Sequence, residues 1–347
     1  MTLLPVPLAA RLKSLFAILR ASARRRFDVL GLGEISHDLV LQLAPGVALA
    51  AALPDKLSAQ AMTTLGGGQI ATALVAAQRL GLRTALVGAV GDDAAGREQL
   101  AELSAEGVDH RGVAVCAGAQ TRLALILVDA QGDRRVLEWR HPRLQPPAEA
   151  PTRATLEACR ILHVDGTYPL AAVAAARRAK AAGTLVSLDL DRVPGESRSA
   201  LGELVALADL CVVCARFPGE LTGEADPDRA ALLLAERTAG LVVVTRGEAG
   251  GVAVVDAELR PFPALPPPAL VDTTACGDTF HAALLTHLLA CADQPPAAAA
   301  AQLFSALRFA STAAALKCQD LGRRGCPRRL EVEALLAALP ATAFPSH

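Results

Sequence analysis

Three observations predict an α/β protein with a mainly parallel central sheet, helices on both faces, and a small β-sheet standing off it as a lid. Apolar runs of strand length alternate with Ala/Leu-rich helical segments along most of the chain. The runs are continuously apolar rather than alternating, as expected of strands buried on both sides. Two stretches break this rhythm, and one of them reads as a hairpin.

The first 26 residues, MTLLPVPLAARLKSLFAILRASARRR, carry six basic residues and no acid. Leu8, Leu12, Leu15, Phe16 and Leu19 fall on one helical stripe. Such a segment suits an organelle-targeting peptide, a weak membrane-surface helix or an extension docked on the body, and an incidental extension is favoured. Strands are expected at 27–33, 84–90, 161–165, 185–190, 209–214 and 241–245. Helices are expected near 69–81, 94–106, 168–182, 227–239, 277–291 and 299–317. Residues 39–65 follow the first strand without a clear helix, and 121–140 read as two strands around Asp129-Ala-Gln-Gly-Asp133. Segments of about 39–65 and 112–142 are therefore assigned to the lid, within one domain spanning 27–338 and followed by a tail at 339–347.

Composition excludes several functions. The formal charge of −1 hides the basic N-terminus; the remaining 321 residues hold 28 positive against 35 negative charges, a net of −7. An acidic body lacks the basic stripe that a nucleic-acid backbone requires. No run of 18 uninterrupted apolar residues offers a membrane span. The eight cysteines follow no secretory signal and read as reduced thiols of a cytoplasmic protein. Cys211-Val-Val-Cys214 lies in an extended run whose alternate residues face apart, so two core thiols are expected there rather than a zinc site. His110, His141, His163 and His281 show no ligand spacing.

The strongest chemical signal is Asp272-Thr-Thr-Ala275-Cys276-Gly277-Asp278-Thr-Phe280, followed by an Ala/Leu helix. Small residues before a helix start let several backbone N–H groups point at one spot, which suits phosphate. Asp278 sits beside that spot, where it can take the proton of a hydroxyl attacking a phosphoryl group. The alternative, that Asp278 merely complements the helix N-terminus, stands level on this segment alone. Three weaker signals accompany it: Thr245-Arg-Gly247-Glu-Ala-Gly250 after an apolar run, Gly66-Gly67-Gly68 opening a helix, and Gly31-Leu-Gly33-Glu-Ile-Ser-His-Asp38 leaving the first strand.

Together these four features resemble the PfkB/ribokinase family of small-molecule kinases over residues 27–338. Residues 272–280 look like its C-terminal signature. Gly67-Gly68 through Arg79-Leu80-Gly81, with Val90-Gly91-Asp92-Asp93 and Gly96, look like its N-terminal one. The resemblance implies a ribokinase-like fold. It further implies that Asp278 is the base, and that the amides of Ala275, Cys276 and Gly277 hold the transferring phosphoryl group of ATP. Asp38 would bind sugar hydroxyls, with Gly67, Gly68 and Thr72 lining the same pocket. Thr245, Gly247 and Gly250 would hold ATP, and Ser311 would border the adenine. Mg²⁺ would accompany ATP, and Asp272 matches a position associated with a monovalent cation such as K⁺. Lid sheets can pair between subunits, so a homodimer through the lid is the assembly it suggests.

Three departures qualify the match. Thr72 replaces the usual Asn, which changes how sugar hydroxyls are read. The family's Asn-x-x-Glu falls on Cys214-Ala-Arg-Phe217, leaving Glu220 and Asp191 as substitute helpers for the metal. Ala275-Cys276 replaces the commoner Gly-Ala, and a nucleophilic Cys276 is disfavoured because no His adjoins it. The reading is an ATP-dependent kinase acting on a hydroxyl of a small sugar or sugar derivative. The alternatives are a nucleoside kinase and a catalytically weak sugar- or nucleotide-binding sensor. Aromatics make up only 3 % of the chain, which leaves Trp139, Phe217 and Phe280 as the few candidates to stack on a nucleoside base.

Overall fold

The computed structural model describes residues 7–49, 55–131, 133–292, 299–322, 324–340 and 344. The ends of the chain, including most of the expected tail, and residues 50–54 of the expected lid lie outside the described residues. The first elements are helix α1 (Leu8–Ala21) and strands β1 (Phe27–Leu32), β2 (Ser36–Leu43) and β3 (Ala59–Gly67). Next come α2 (Gln69–Arg79), β4 (Thr84–Gly91), α3 (Ala94–Ala105), β5 (Asp109–Cys116), β6 (Arg122–Val128) and β7 (Arg134–Trp139). The middle of the chain forms α4 (Arg153–Glu157), β8 (Cys159–Val164), α5 (Pro169–Ala181), β9 (Leu185–Leu190), α6 (Arg198–Leu207) and β10 (Leu210–Cys214). After α7 (Arg216–Thr222) and α8 (Pro227–Ala235), strands β11 (Leu241–Thr245), β12 (Gly251–Val255) and β13 (Glu258–Phe262) lead to α9 (Cys276–Ala292), α10 (Ala299–Lys317) and α11 (Arg329–Ala338).

The large sheet runs β13-β12-β11-β10-β9-β8-β1-β4-β5, parallel from β11 to β5, with β12 antiparallel to both β11 and β13 at one edge. Strands such as β4, β8 and β9 are buried at every position, which explains their unbroken apolar sequences. On one face, α1, α2, α9 and α10 share a core containing Ile70, Leu74, Leu284 and Leu307. On the other, α5, α6, α7 and α8 pack over Leu162, Leu188 and Val213. Helix α9 is apolar nearly all round because it lies beneath other helices as well as against the sheet.

The small sheet has the order β3-β2-β6-β7, with β2 and β6 parallel and both outer pairs antiparallel. One boundary differs from the sequence expectation. Residues 112–116 belong to β5, which pairs with β4 at the edge of the large sheet, so the second lid segment begins near Arg122. The half-polar pattern of β5, with one face open at a sheet edge, resembles that of a lid strand.

The basic N-terminal segment docks on the body. Leu8, Leu12, Leu15, Phe16 and Leu19 are all buried in the core shared with α9 and α10. Its cations serve carbonyl groups: Arg11 donates to Gly240 O, and Arg25 donates to Cys159 O (2.7 Å) and Ala182 O (2.8 Å). Arg160 donates back to Leu19 O at 3.0 Å. A helix contributing five core side chains is an integral layer of the domain, not a separate extension before residue 27.

Candidate active site

Strand β1 is followed in one direction across the sheet by β4 and β5, and in the other by β8 to β11. Open α/β sheets bind ligands outside the carboxyl ends of their strands, where the order reverses. A cleft of about 950 Å³ lies there. Its lining comes from the segments leaving five parallel strands: Glu34 after β1, Gly166 and Thr167 after β8, Asp191 after β9, Ala215 after β10, and Arg246 and Gly247 after β11. The loop before α9 closes one wall, and Arg122, Arg134, Val136, Glu138 and Arg140 from the small sheet close the opposite one.

One end of the cleft is made of backbone. Thr274, Ala275, Gly277 and Asp278 all line the cleft. Ala275 holds φ 66°, a left-handed conformation that is strained for a residue with a Cβ, and this turn aims the start of α9 at the cleft. The amides of Ala275 and Gly277 have no backbone acceptor among the described residues, as expected of a helix N-terminus. The Cys276 amide differs from expectation: it donates to Thr273 O at 3.3 Å, closing the turn. Asp278 is buried one residue beyond these amides, in the first turn of α9.

Asp272 steadies this loop. Its Oδ1 accepts from Thr274 N (2.8 Å) and Thr274 Oγ1 (2.7 Å), and its Oδ2 accepts from Gly322 N (2.7 Å). A carboxylate already serving three donors is a clamp between two loops, a poor fit for the monovalent-cation ligand expected there.

Below the loop, α9 rests on a buried polar cluster that shares no sequence spacing. His281 Nε2 lies 2.7 Å from Ser187 Oγ, and its Nδ1 lies 3.4 Å from Asp189 Oδ2. The His163 ring stands edge-on to it with centroids 4.3 Å apart. Burial drives the His281 pKa down to about 3. Burial, helped by the His281 ring and opposed by a Ser187 backbone contact, also holds His163 well below its ordinary value. Burial thus favours the neutral form of both imidazoles.

The nucleotide-loop residues separate. Thr245 and Gly247 line the cleft, whereas Gly250 shapes the turn into β12 with φ 79°. A Cβ at Gly250 would fall 2.1 Å from Phe262 O, so that glycine is required by packing. Ser311 is buried in α10, donates to Pro263 O at 3.3 Å, and does not line the cleft.

The expected sugar-binding set also separates from the cleft. Asp38 is fully buried, accepts from Ser36 Oγ at 2.6 Å, and packs so closely on Gly67 that a Cβ there would lie 2.1 Å from its Oδ1. Arg324 fills the space beside it: its guanidinium donates to Thr72 Oγ1 (3.2 Å), Gly67 O (3.2 Å) and Glu102 Oε1 (3.0 Å). Gly68 has φ 92° and abuts Glu34 O. None of Asp38, Gly67, Gly68 and Thr72 lines the cleft; Glu34 and Gln69 line it on that side.

Glu34, Arg122 and Glu138 escaped the sequence reading. Arg122 is buried between Glu34 Oε1 and Glu138 Oε1, each at 3.0 Å, and Arg192 reaches Glu138 Oε2 at 2.5 Å. Burial alone would raise Glu138, but Arg122 and Arg192 prevail and hold its carboxyl below the ordinary range. Asp165 accepts from Glu34 N (2.8 Å) and Thr167 N (2.8 Å), orienting the chain after β1, and burial raises its pKa. One available signal was the period-two spacing of Arg134, Val136 and Glu138, which puts all three on the cleft face of β7.

At the absent Asn-x-x-Glu position, Cys214 lines the cleft and donates its thiol hydrogen to Asp191 O (3.0 Å), while Phe217 is fully buried in the core. Of the substitute helpers, Asp191 lines the cleft. Glu220 does not; it accepts from Val193 N at 2.7 Å.

A crossover α/β sheet with an amide nest and a buried carboxylate at its carboxyl edge defines a phosphotransferase class of site. The chain belongs to the pfkB family carbohydrate kinases, whose sequence profile matches residues 46–329. It is 30 % identical over 338 residues to a fructokinase-1 of Oryza sativa subsp. japonica, covering 89 % of this chain and 97 % of that one. It is 27 % identical over 312 residues to a nucleoside kinase of Methanothermobacter thermautotrophicus, covering 85 % and 90 %. Among solved structures it resembles a microbiome-derived acarbose kinase (TM-score 0.73, 26 % identity, covering 90 % and 99 %). The Thermotoga maritima ribokinase shares its fold (TM-score 0.72, 23 % identity, covering 90 % and 99 %). The protein is a carbohydrate kinase with the ribokinase-like fold.

Proposed function

We propose that the protein transfers the γ-phosphoryl group of ATP to a hydroxyl of a small sugar or sugar derivative. The observation carrying this reading is the buried Asp278 carboxylate one residue past the unengaged amides of Ala275 and Gly277, on the cleft wall. Thr245, Arg246 and Gly247 hold the nucleotide end, and the two amides receive the charge that develops on the transferring group. Asp278 takes the proton of the attacking hydroxyl. Glu34, Gln69 and Glu138 supply acceptors and donors to the remaining hydroxyls, in place of the Asp38 set. Arg134 of β7 donates to Thr273 Oγ1, so the small sheet touches the phosphoryl loop when it covers the site and excludes water. The hard oxygen donors Asp189 and Asp191 suit Mg²⁺ carried by ATP, which when bound would neutralise phosphate charge.

No aromatic ring lines the cleft among the described residues, so a nucleoside base would find no stacking surface. Phe217 is buried in the core, Phe280 stacks on Phe262 (5.7 Å), and Trp139 stands on the small sheet against His141. This favours a sugar acceptor over a nucleoside. Met62, Leu137 and Trp139 are exposed on the small sheet, an apolar surface suited to a second copy through the lid. The eight cysteines are unpaired, consistent with the cytoplasm, and among the described residues no helix is long and apolar enough to cross a membrane.

The test is ADP release from Mg-ATP across fructose, other hexoses, pentoses, sugar phosphates and nucleosides. Turnover confined to sugars supports the proposal. Turnover confined to nucleosides, or none with any acceptor, overturns it.

A further inference from the structure

The turn that forms the phosphoryl-binding nest also carries a thiol pair. Cys276 Sγ, on the first residue of α9, lies 3.1 Å from Cys318 Sγ, just beyond the end of α10. The backbones around them are already tied together: Val271 N and Asp272 N both donate to Cys318 O, at 2.7 and 3.1 Å, and Asp272 Oδ2 accepts from Gly322 N. The backbones carrying the two sulfurs are thus held beside each other by hydrogen bonds between the 271–272 loop and residues 318 and 322. A disulfide needs its sulfurs about 2.05 Å apart, so bond formation requires an approach of roughly 1 Å and no unfolding.

We infer that Cys276 and Cys318 are an oxidative modification site, a dithiol that peroxide converts to an intramolecular disulfide and that thereby distorts the phosphoryl-binding nest. The inference rests on the kinase reading for its effect on activity, but not for the chemistry.

The environment is selective. The hydrogen bond from Cys276, supported by the nearby Lys317 and Arg134 cations, lowers the Cys318 pKa, while the same contact raises that of Cys276. Burial instead pushes Cys159 and Cys211 up to about 12, which leaves them as unreactive thiols. Cys318 is buried, but Cys276 is only partly buried and its neighbours Ala275 and Gly277 line the cleft, so a molecule as small as hydrogen peroxide would reach the pair from the Cys276 side. The Cys318 thiolate attacks one peroxide oxygen, the O–O bond breaks, and hydroxide leaves to become water. The Cys276 sulfur then attacks the resulting sulfenic acid, and the sulfenic oxygen departs as a second water. Two thiols and one peroxide give one disulfide and two waters, with the electron pair passing from sulfur to oxygen.

The S–S bond would draw the first turn of α9 toward the end of α10, carrying the Ala275 and Gly277 amides and Asp278 with it. A displacement on the order of 1 Å in a catalytic constellation costs about 100-fold in rate.

The experiment treats the full-length reduced protein with hydrogen peroxide and reads two quantities. Peptide mass mapping without reductant detects a Cys276–Cys318 cross-link with loss of two hydrogens. ADP release with the accepted sugar reports activity, before and after a thiol reductant. The expected result is a cross-link formed ahead of oxidation at other cysteines, with activity falling about 100-fold and recovering on reduction. Cys318→Ser should retain basal activity, form no cross-link and resist peroxide; Cys318→Ala, checked by thermal melting, controls for folding. Absence of the cross-link while other thiols oxidise overturns the proposal, as does equal inactivation of the wild type and Cys318→Ser. A cross-link that forms in a protein active on no acceptor refutes the kinase reading and leaves the dithiol supported.

Discussion

The two ends of the cleft are built from different materials. The end proposed for the phosphoryl group is a short stretch of consecutive small residues, 274–278, whose proposed role resides in amide direction and one carboxylate. The acceptor end is assembled from charged side chains on separate elements: Glu34 after β1, Arg122 on β6, Glu138 on β7 and Arg192 after β9. Backbone amides offer the same geometry whatever their side chains, so the first end suits a group common to every substrate, the phosphate. Side chains can be exchanged singly, so under the proposed function the second end is where acceptor choice would be encoded.

Asp278→Asn should separate the ends most sharply. Removing the base while keeping its size is expected to lower kcat by about 10²–10⁴-fold, with acceptor KM little changed. Stopped or coupled ADP assays with the preferred sugar measure it, and activity retained in the Asn variant would remove Asp278 from the role of base.

Glu138→Gln probes the other end. Loss of one charged partner in the Arg122–Glu138–Arg192 array should raise acceptor KM about 10-fold, the size of one charge-assisted hydrogen bond, while the KM for ATP stays put. An equal rise in both constants would show that the two ends are not independent.

Acid should undermine the ends in order. His163 and His281 beneath α9 have folded pKa values depressed from 6.5, His281 to about 3. The unfolded chain therefore binds protons first, and stability declines as pH falls below 6.5, by up to about 1.4 kcal/mol per pH unit for each imidazole. Glu138 is also depressed, but from 4.5, so its contribution is lost only below that pH. Melting temperature should thus begin to drop near pH 6.5. His281→Gln should flatten the slope between pH 6.5 and 4.5, and an unchanged slope would exclude the imidazole as its source.

Ala275→Gly should have the smallest effect. Glycine adopts φ 66° without strain, which offsets its greater freedom in the unfolded chain, so stability should change by less than about 1 kcal/mol with activity retained. Ala275→Val places a β-branched side chain in the same conformation and should abolish the nest, as read by ATP binding and ADP release.

The contrast also explains what could be read in advance. The phosphoryl end is local: Asp272 to Asp278 are seven consecutive residues, and a helix start after small residues specifies an anion site without knowledge of the rest of the fold. The alternation of strands and helices was equally legible, because each element must bury its own face. Asp38, Gly67, Gly68 and Thr72 lie off the cleft lining, and Gly67 and Thr72 are held by Arg324, a residue some 250 positions away from Thr72 that no local pattern connects to them. The boundary of β5 was missed because one open face at a sheet edge gives the same polarity pattern as a lid strand.

The opening 26 residues show the same division. Their helical stripe was visible in the sequence, but a stripe records only that something covers it; the face of α9 and α10 that does so exists only in the folded chain. By itself, then, the sequence determined the fold class and pointed to the helix-start anion site and Asp278 proposed above, all of which depend on contiguous residues and short periods. The tertiary structure alone decided which charges meet across the cleft, that Arg324 sits between Thr72 and Glu102, and that two cysteines 42 residues apart face each other at the nest. Those are long-range contacts, fixed by packing among elements rather than by any pattern within one.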